Sequence, residues 1–208
     1  MQPFTTVLCC FRGKVRMAGR AYTIFDSAIG RCGIAWGDAG IVGVQLAEAR
    51  EIETRKRLFQ HYPDAREMRP PPNVELAIRS IIALLRGEPG DFSDVTLDTG
   101  GIRAFDQRVY QITRAIPRGE TLTYGEIAAR LGASGAVRSV AQAIARNPFV
   151  IIVPCHRVLE SGGYADKISP HGGIISRRRL RSIEGAGGPS SKTLFDVLLP
   201  VASPRLSG

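Results

Sequence analysis

Residues 151–158 read Ile, Ile, Val, Pro, Cys, His, Arg, Val, and this stretch restricts what the chain can fold into more than any other. An apolar run that ends at proline reads as a buried strand stopping at Pro154, because proline lacks the donor a strand interior needs. Cys155 then falls where the sheet ends, half out of the core. A free thiol is only a few per cent thiolate at neutral pH, and lowering its pKa by about two units takes roughly 2.7 kcal/mol. His156 and Arg157 are the neighbouring groups able to supply part of that. In a regular strand adjacent side chains point to opposite faces. Cys155 and His156 therefore interact only if the backbone bends after Pro154 or a water bridges them. A small, buried, structural cysteine is the competing reading.

The chain has 208 residues and is 44% hydrophobic, enough for one large domain or two small ones. Short apolar segments at 22–25, 32–36 and 41–46, broken at 27–30 and 37–40, predict a β-meander. Trp36 and Cys32 are expected in its core. Residues 47–61 are charged and helix-forming, and 70–72 are three prolines that read as an extended spacer. Leu76, Ile78, Ile81, Ile82, Leu84 and Leu85 then follow at helical spacing, with Gly87 as the stop. Residues 95–97 read as one more strand. Gly100 and Gly101 mark a joint. Beyond it Phe105, Val109, Ile112 and Ile116 share one face of a helix that Pro117 ends. Thr123 with Glu126 is a capping box opening a short helix over 124–131. A glycine-containing turn at 132–135 leads to a second helix over 136–146, ended by Asn147 and Pro148. Two short helices joined this way predict a helix-turn-helix. The expected fold is α+β, with an α/β unit over 17–98 and a mostly helical unit over 99–187. An extension over 1–16 precedes them, with Met17 as an alternative start, and a tail over 188–208 follows.

Lys and Arg number 28 against 19 Asp and Glu, a net charge of +9 that favours a polyanion, most simply nucleic acid. The helix over 136–146 bears on this. A major-groove reader carries Arg, Asn or Gln at several exposed positions. Here Arg138 and Gln142 stand among Ala, Ser and Val, and small side chains let a helix backbone approach the minor groove. A helix pair closely packed through those small residues is the alternative. The basic run Arg177, Arg178, Arg179 and Arg181 reads as either a phosphate-contacting face or a solvated one. Cys9, Cys10, Cys32 and Cys155, with three histidines in the chain, fit no zinc ligand spacing. Cysteines this sparse point to a reducing compartment. No apolar run is long enough to span a bilayer, and 1–16 makes a poor signal peptide. The expected location is cytoplasmic or nucleoid-associated, with no membrane partner and no secretion.

The helix pair running into Asn147, Pro148 and then Pro154, Cys155, His156, Arg157, Val158, together with Tyr124, Arg138 and a terminal Glu184-Gly185, resembles the O6-alkylguanine-DNA alkyltransferases, or methylated-DNA–protein-cysteine methyltransferases. The likeness covers roughly 20–185 and is strongest over 105–158. It implies a ribonuclease H-like N-terminal unit and a monomeric, single-turnover repair enzyme that needs no cofactor or metal. Its partner would be double-stranded DNA, entered from the minor groove, with the alkylguanine flipped out. Under this resemblance Cys155 is the alkyl acceptor, His156 acts through a water as its base, and Glu184 polarises the imidazole. Asn147 braces the turn around the site. Arg138 enters the base stack, with Ser139, Ala141 and Gln142 beside it on the DNA-binding helix. Tyr124 crowds the phosphate and then donates to the base, and Val158 and His171 line the pocket. Two other readings are a non-catalytic lesion-binding protein that signals to other repair factors, which Cys155 argues against, and a sequence-reading regulator, which the Ala-rich helix argues against. The chain departs from the family pattern in a longer loop at 164–171, in Asp106 within a usual Phe-Gln pair, and in Tyr110 where Trp is common.

Overall fold

The computed structural model describes residues 19–160 and 173–185, the side chains of 173–176 excepted. The extension with Met17, Cys9 and Cys10, the loop at 164–171 with His171, and the tail at 188–208 lie outside the described residues.

The meander forms as expected, as β1 (Ala21–Ser27), β2 (Gly30–Gly37) and β3 (Gly40–Gln45). Its tight turns use Gly30 at φ +114 and Gly40 at φ +136, a region that glycine enters without a Cβ penalty. The helices α1 (Glu51–His61) and α2 (Pro72–Leu85) follow. The last proline of the expected spacer is the first residue of α2, where a missing N–H breaks no helical bond. At the other end, Gly87 N donates to Leu84 O and Glu88 N to Ala83 O, the paired bonds that close a helix on a left-handed glycine. Between the helices lies β4 (Arg66–Glu67), which no apolar pattern marks. It joins β1 in parallel, so the sheet runs β3-β2-β1-β4. Residues 95–97 do not form a full strand. Leu97 makes a single parallel bridge to Ile41, because the chain turns away after Asp98 N bonds to Ile41 O.

The rest of the chain supplies α3 (Ala104–Arg114), β5 (Leu122–Thr123), α4 (Tyr124–Arg130), α5 (Val137–Ala145), β6 (Val158–Leu159) and α6 (Gly173–Glu184). Both halves of the capping box are made at α4, Thr123 accepting from Glu126 N and Glu126 accepting from Thr123 N. That helix closes on Gly132 with the same pair of bonds as α2. A 3-10 turn, Ser134–Ala136, leads into α5, and β5 pairs with β6 in parallel. One buried cluster runs from Ala21, Cys32 and Trp36 through Ile81 and Leu85 to Ile127, Val140, Phe149, Cys155 and Leu180. The sheet meets the second half where Val44 N donates to Pro148 O at 2.8 Å. The architecture is mixed α+β. Among the described residues no helix is long and apolar enough to cross a membrane.

Candidate active site

The run Ile151, Ile152, Val153 is buried, but it is a turn and not a strand. Asn147 closes it: Nδ2 donates to Val153 O at 2.9 Å and Oδ1 accepts from Phe149 N at 2.9 Å. Val153 N also returns to Phe149 O at 2.7 Å. The closure forces Ile151 to φ +76, a conformation that strains a β-branched residue by about 1–3 kcal/mol. Burying the isoleucine side chain contributes roughly 1.5–3 kcal/mol, so packing offsets the strain. After Pro154 the chain enters a single 3-10 turn, Cys155–Arg157. The backbone bends where a strand would have continued, so Cys155 and His156 are not forced to opposite faces. Nor is Cys155 half out of the core. At 2% exposure it is buried, because the 3-10 turn tucks it into the main cluster.

Beneath this turn lies a buried ionic group. Glu184, at the end of α6, accepts from Arg157 Nε at 2.9 Å and from Arg157 Nη2 at 2.6 Å. Its Oε1 also lies 3.1 Å from His156 Nε2, off the line of an aligned hydrogen bond. Arg157 Nη1 donates to Ile116 O, and Arg181 Nη1 donates to His156 O at 3.1 Å. Burial pushes the Glu184 carboxyl up, but the contacts from His156 and Arg157 outweigh it and hold the group at about 2. Burial pushes the His156 imidazole below its usual range, against the pull of Glu184, and the Arg157 and Arg181 charges push the same way. His156 is thus a neutral imidazole at pH 7, and its Nδ1 has no hydrogen-bond partner among the described residues.

The pairing of β5 with β6 sets Thr123 beside Leu159, so Tyr124 opens α4 next to the strand leaving the Cys155 turn. Tyr124 is half-buried, and Val158, which opens β6, is buried. On α5, Val140, Ala143 and Ile144 face the core, Ala141 is half-buried, and Arg138, Ser139 and Gln142 are exposed. Arg138 makes no ion pair among the described residues. The Tyr110 hydroxyl donates to Ala143 O at 3.0 Å and its ring meets Phe149 edge-on, tying α5 to α3 and to the turn. Burial, then Asp106, then Cys155 push that hydroxyl upward, so it remains a donor. Among the described residues, no group of three or more His, Cys, Asp or Glu side chains comes together as a metal site.

The 6-O-methylguanine DNA methyltransferase DNA binding domain matches residues 104–186. A methylated-DNA–protein-cysteine methyltransferase of Mycobacterium tuberculosis is 39% identical over 163 residues, covering 76% of this chain and 96% of the relative. The chain belongs to the methylated-DNA–protein-cysteine methyltransferase family. A second relative of that name, from Methanothermobacter thermautotrophicus, is 38% identical over 153 residues, 74% of this chain and 78% of its own length. The Mycobacterium tuberculosis OGT crystallised in complex with DNA superposes with a TM-score of 0.63 at 33% identity, covering 85% of this chain and 99% of that one.

In this methyltransferase the fold brings Cys155, His156, Glu184 and Asn147 together, with Val158 one residue past their turn. Tyr124, Arg138, Ser139, Ala141 and Gln142 sit on the α4–α5 pair. Four side chains take parts that the sequence does not announce. Arg157 is bound to Glu184 and Ile116 O, so it is not a free cation beside the thiol. Arg181 braces the His156 carbonyl and Arg177 is buried, so the basic run on α6 is not one uniform surface face. Tyr110, marked in the sequence only as a departure from the common Trp, links the turn to α5. The spacing of Arg157 and Glu184, 27 residues apart, carries no local signal.

Proposed function

We propose that the chain repairs O6-alkylguanine in duplex DNA by moving the alkyl group irreversibly onto its own Cys155. The observation that carries this reading is the Cys155–Arg157 turn, packed on a buried His156–Glu184–Arg157 group in a chain of this family. Neutral His156 is suited to take the thiol proton through a bridging water at Nδ1, beside a Glu184 that Arg157 holds in place. The Cys155 sulfur then attacks the alkyl carbon, a carbon–sulfur bond forms, and the bond from that carbon to guanine O6 breaks. The guanine leaves as its anion, steadied by a hydrogen bond that the Tyr124 hydroxyl donates to the base, and takes up one proton, which balances the proton the thiol gave to His156. The thioether has no low-barrier way back, so each chain acts once. Asn147 holds the turn in shape throughout.

The target atom is unreachable in a stacked duplex, so the base is extruded at a cost of a few kcal/mol. Phosphate contacts and an inserted side chain offset that. We read α4, the turn and α5 as the helix-turn-helix, with Arg138 entering the stack and Ser139, Ala141 and Gln142 along the minor groove. The sheet order β3-β2-β1-β4, with only β4 parallel, supports a ribonuclease H-like N-terminal unit over 17–98, joined to a DNA-handling unit over 99–187. Because Cys155 is buried, its sulfur is uncovered as DNA binds. Val158 lines the guanine pocket in this reading. The test uses a duplex carrying labelled methyl at guanine O6. The wild-type chain takes up one methyl and stops, and Cys155→Ser binds the duplex and takes up none. Label on the Cys155→Ser chain overturns the assignment of the acceptor.

A further inference from the structure

Away from Cys155, two guanidiniums converge on one carboxylate. Asp106, on α3, has a side chain only 5% exposed. Arg103, from the residue preceding α3, reaches it through Nε at 3.2 Å and Nη2 at 2.9 Å. Arg146, at the end of α5, reaches the same two oxygens through contacts of 3.3 Å. A buried carboxylate is balanced by one cation. Here two share it, leaving one positive charge in excess. That charge is at the surface, because the Arg103 and Arg146 side chains are 65% and 46% exposed. The Arg146 contacts are also longer than the roughly 2.7–2.9 Å of a strong charge-assisted bond, so this guanidinium is loosely held.

The position of Arg146 gives the excess charge a direction. Arg138, Gln142 and Arg146 follow at i, i+4 and i+8 on α5, and all three are exposed. Residues so spaced lie on one helix face. Arg146 stands about 12 Å along that face from Arg138, at 1.5 Å per residue. That is roughly three to four base-pair steps measured along the DNA axis at about 3.4 Å each. A guanidinium's planar fork matches a phosphate's oxygens in pairs. We propose that Arg103 and Arg146 together form a binding site for a backbone phosphodiester of DNA, displaced along α5 from the extruded base. The site rests on the reading that the exposed face of α5 lies against DNA. Asp106 holds the Arg103 fork in place, and Arg146 turns from the carboxylate toward the phosphate when DNA arrives.

A simple latch between α3 and α5 would show the same bonds, and salt dependence separates the two. Affinity for an undamaged duplex is measured against salt concentration for the full chain, where each phosphate neutralised adds about 0.9 to the log–log slope. Arg103→Gln lowers the slope by about 0.9 and Arg103→Lys restores it. Asp106→Asn frees both guanidiniums and raises the slope. An unchanged slope in Arg103→Gln, with Arg138→Gln weakening binding, overturns this site and leaves the α5 reading standing. If Arg138→Gln also leaves the affinity unchanged, both fall. A slope in Asp106→Asn that stays the same while Tm drops marks a latch alone and overturns the proposal.

Discussion

Glu184 gathers Arg157 and His156 inside the protein, and its removal exposes how much they depend on it. Glu184→Gln leaves the buried Arg157 guanidinium without its counter-charge, a change expected to cost about 3–5 kcal/mol. Urea unfolding of the variant at pH 7 measures it, and a loss below ~1 kcal/mol would contradict the buried ionic group. The same residues set a direction with pH. The folded Glu184 carboxyl sits at about 2 against its ordinary 4.5, so its contribution is complete above 4.5 and is lost as pH falls toward 2. The folded His156 imidazole lies below its ordinary 6.5, so below that pH the unfolded chain takes up a proton the folded one refuses. Both act in one sense, and the urea midpoint falls continuously from about pH 7 to about pH 3. His156→Asn lowers the midpoint at neutral pH but flattens the upper part of that fall. A variant with the wild-type slope there would remove His156 as the cause. At this scale the sequence is informative where partners are neighbours. Cys155, His156 and Asn147 lie within ten residues of one another and their cooperation is legible. The engagement of Arg157 is not, because its partners Glu184 and Ile116 meet it only through folding.

Between Asn147 and Arg157 the chain behaves as one rigid element assembled from irregular backbone. Its rigidity comes from the two Asn147 hydrogen bonds and from the buried isoleucines. Ile151→Gly removes a buried side chain and also relieves the strain of φ +76, whereas Ile152→Gly only removes the side chain. The first variant is therefore expected to lose less stability than the second, by about 1–3 kcal/mol, the size of the strain. Equal losses would mean that Ile151 carries no strain. The turn was hidden in the sequence because an apolar run before proline has the composition of a strand, and what redirects it is the Asn147 side chain with the bond from Val153 N to Phe149 O. The capping box at Thr123 and the glycine stops at Gly87 and Gly132 are legible for the opposite reason, since each acts within one turn of helix. The two-residue strands β4 and β6 escape notice because their pairing partners are remote and their patterns too short.

Across the whole molecule, the buried cluster passes the Gly100-Gly101 joint without interruption, linking Trp36 of β2 to Cys155 and Leu180. Val44 bridges to Phe149, and Arg118 donates to Gly87 O and Ile183 O, tying the ends of α2 and α6. A chain so connected unfolds as a unit. Trp36 is its one tryptophan and is buried, so its fluorescence reports the sheet while alkyl-acceptor capacity reports the other half. The two are expected to be lost at the same urea concentration, and separated transitions would show halves that fold independently. The central claim, that Cys155 is the atom-for-atom destination of the alkyl group, is tested most directly by intact mass after incubation with an O6-methylguanine duplex. The account predicts one methyl added per chain, on the peptide that carries Cys155, and no addition to Cys155→Ser. A chain that binds the duplex and keeps its original mass would contradict it.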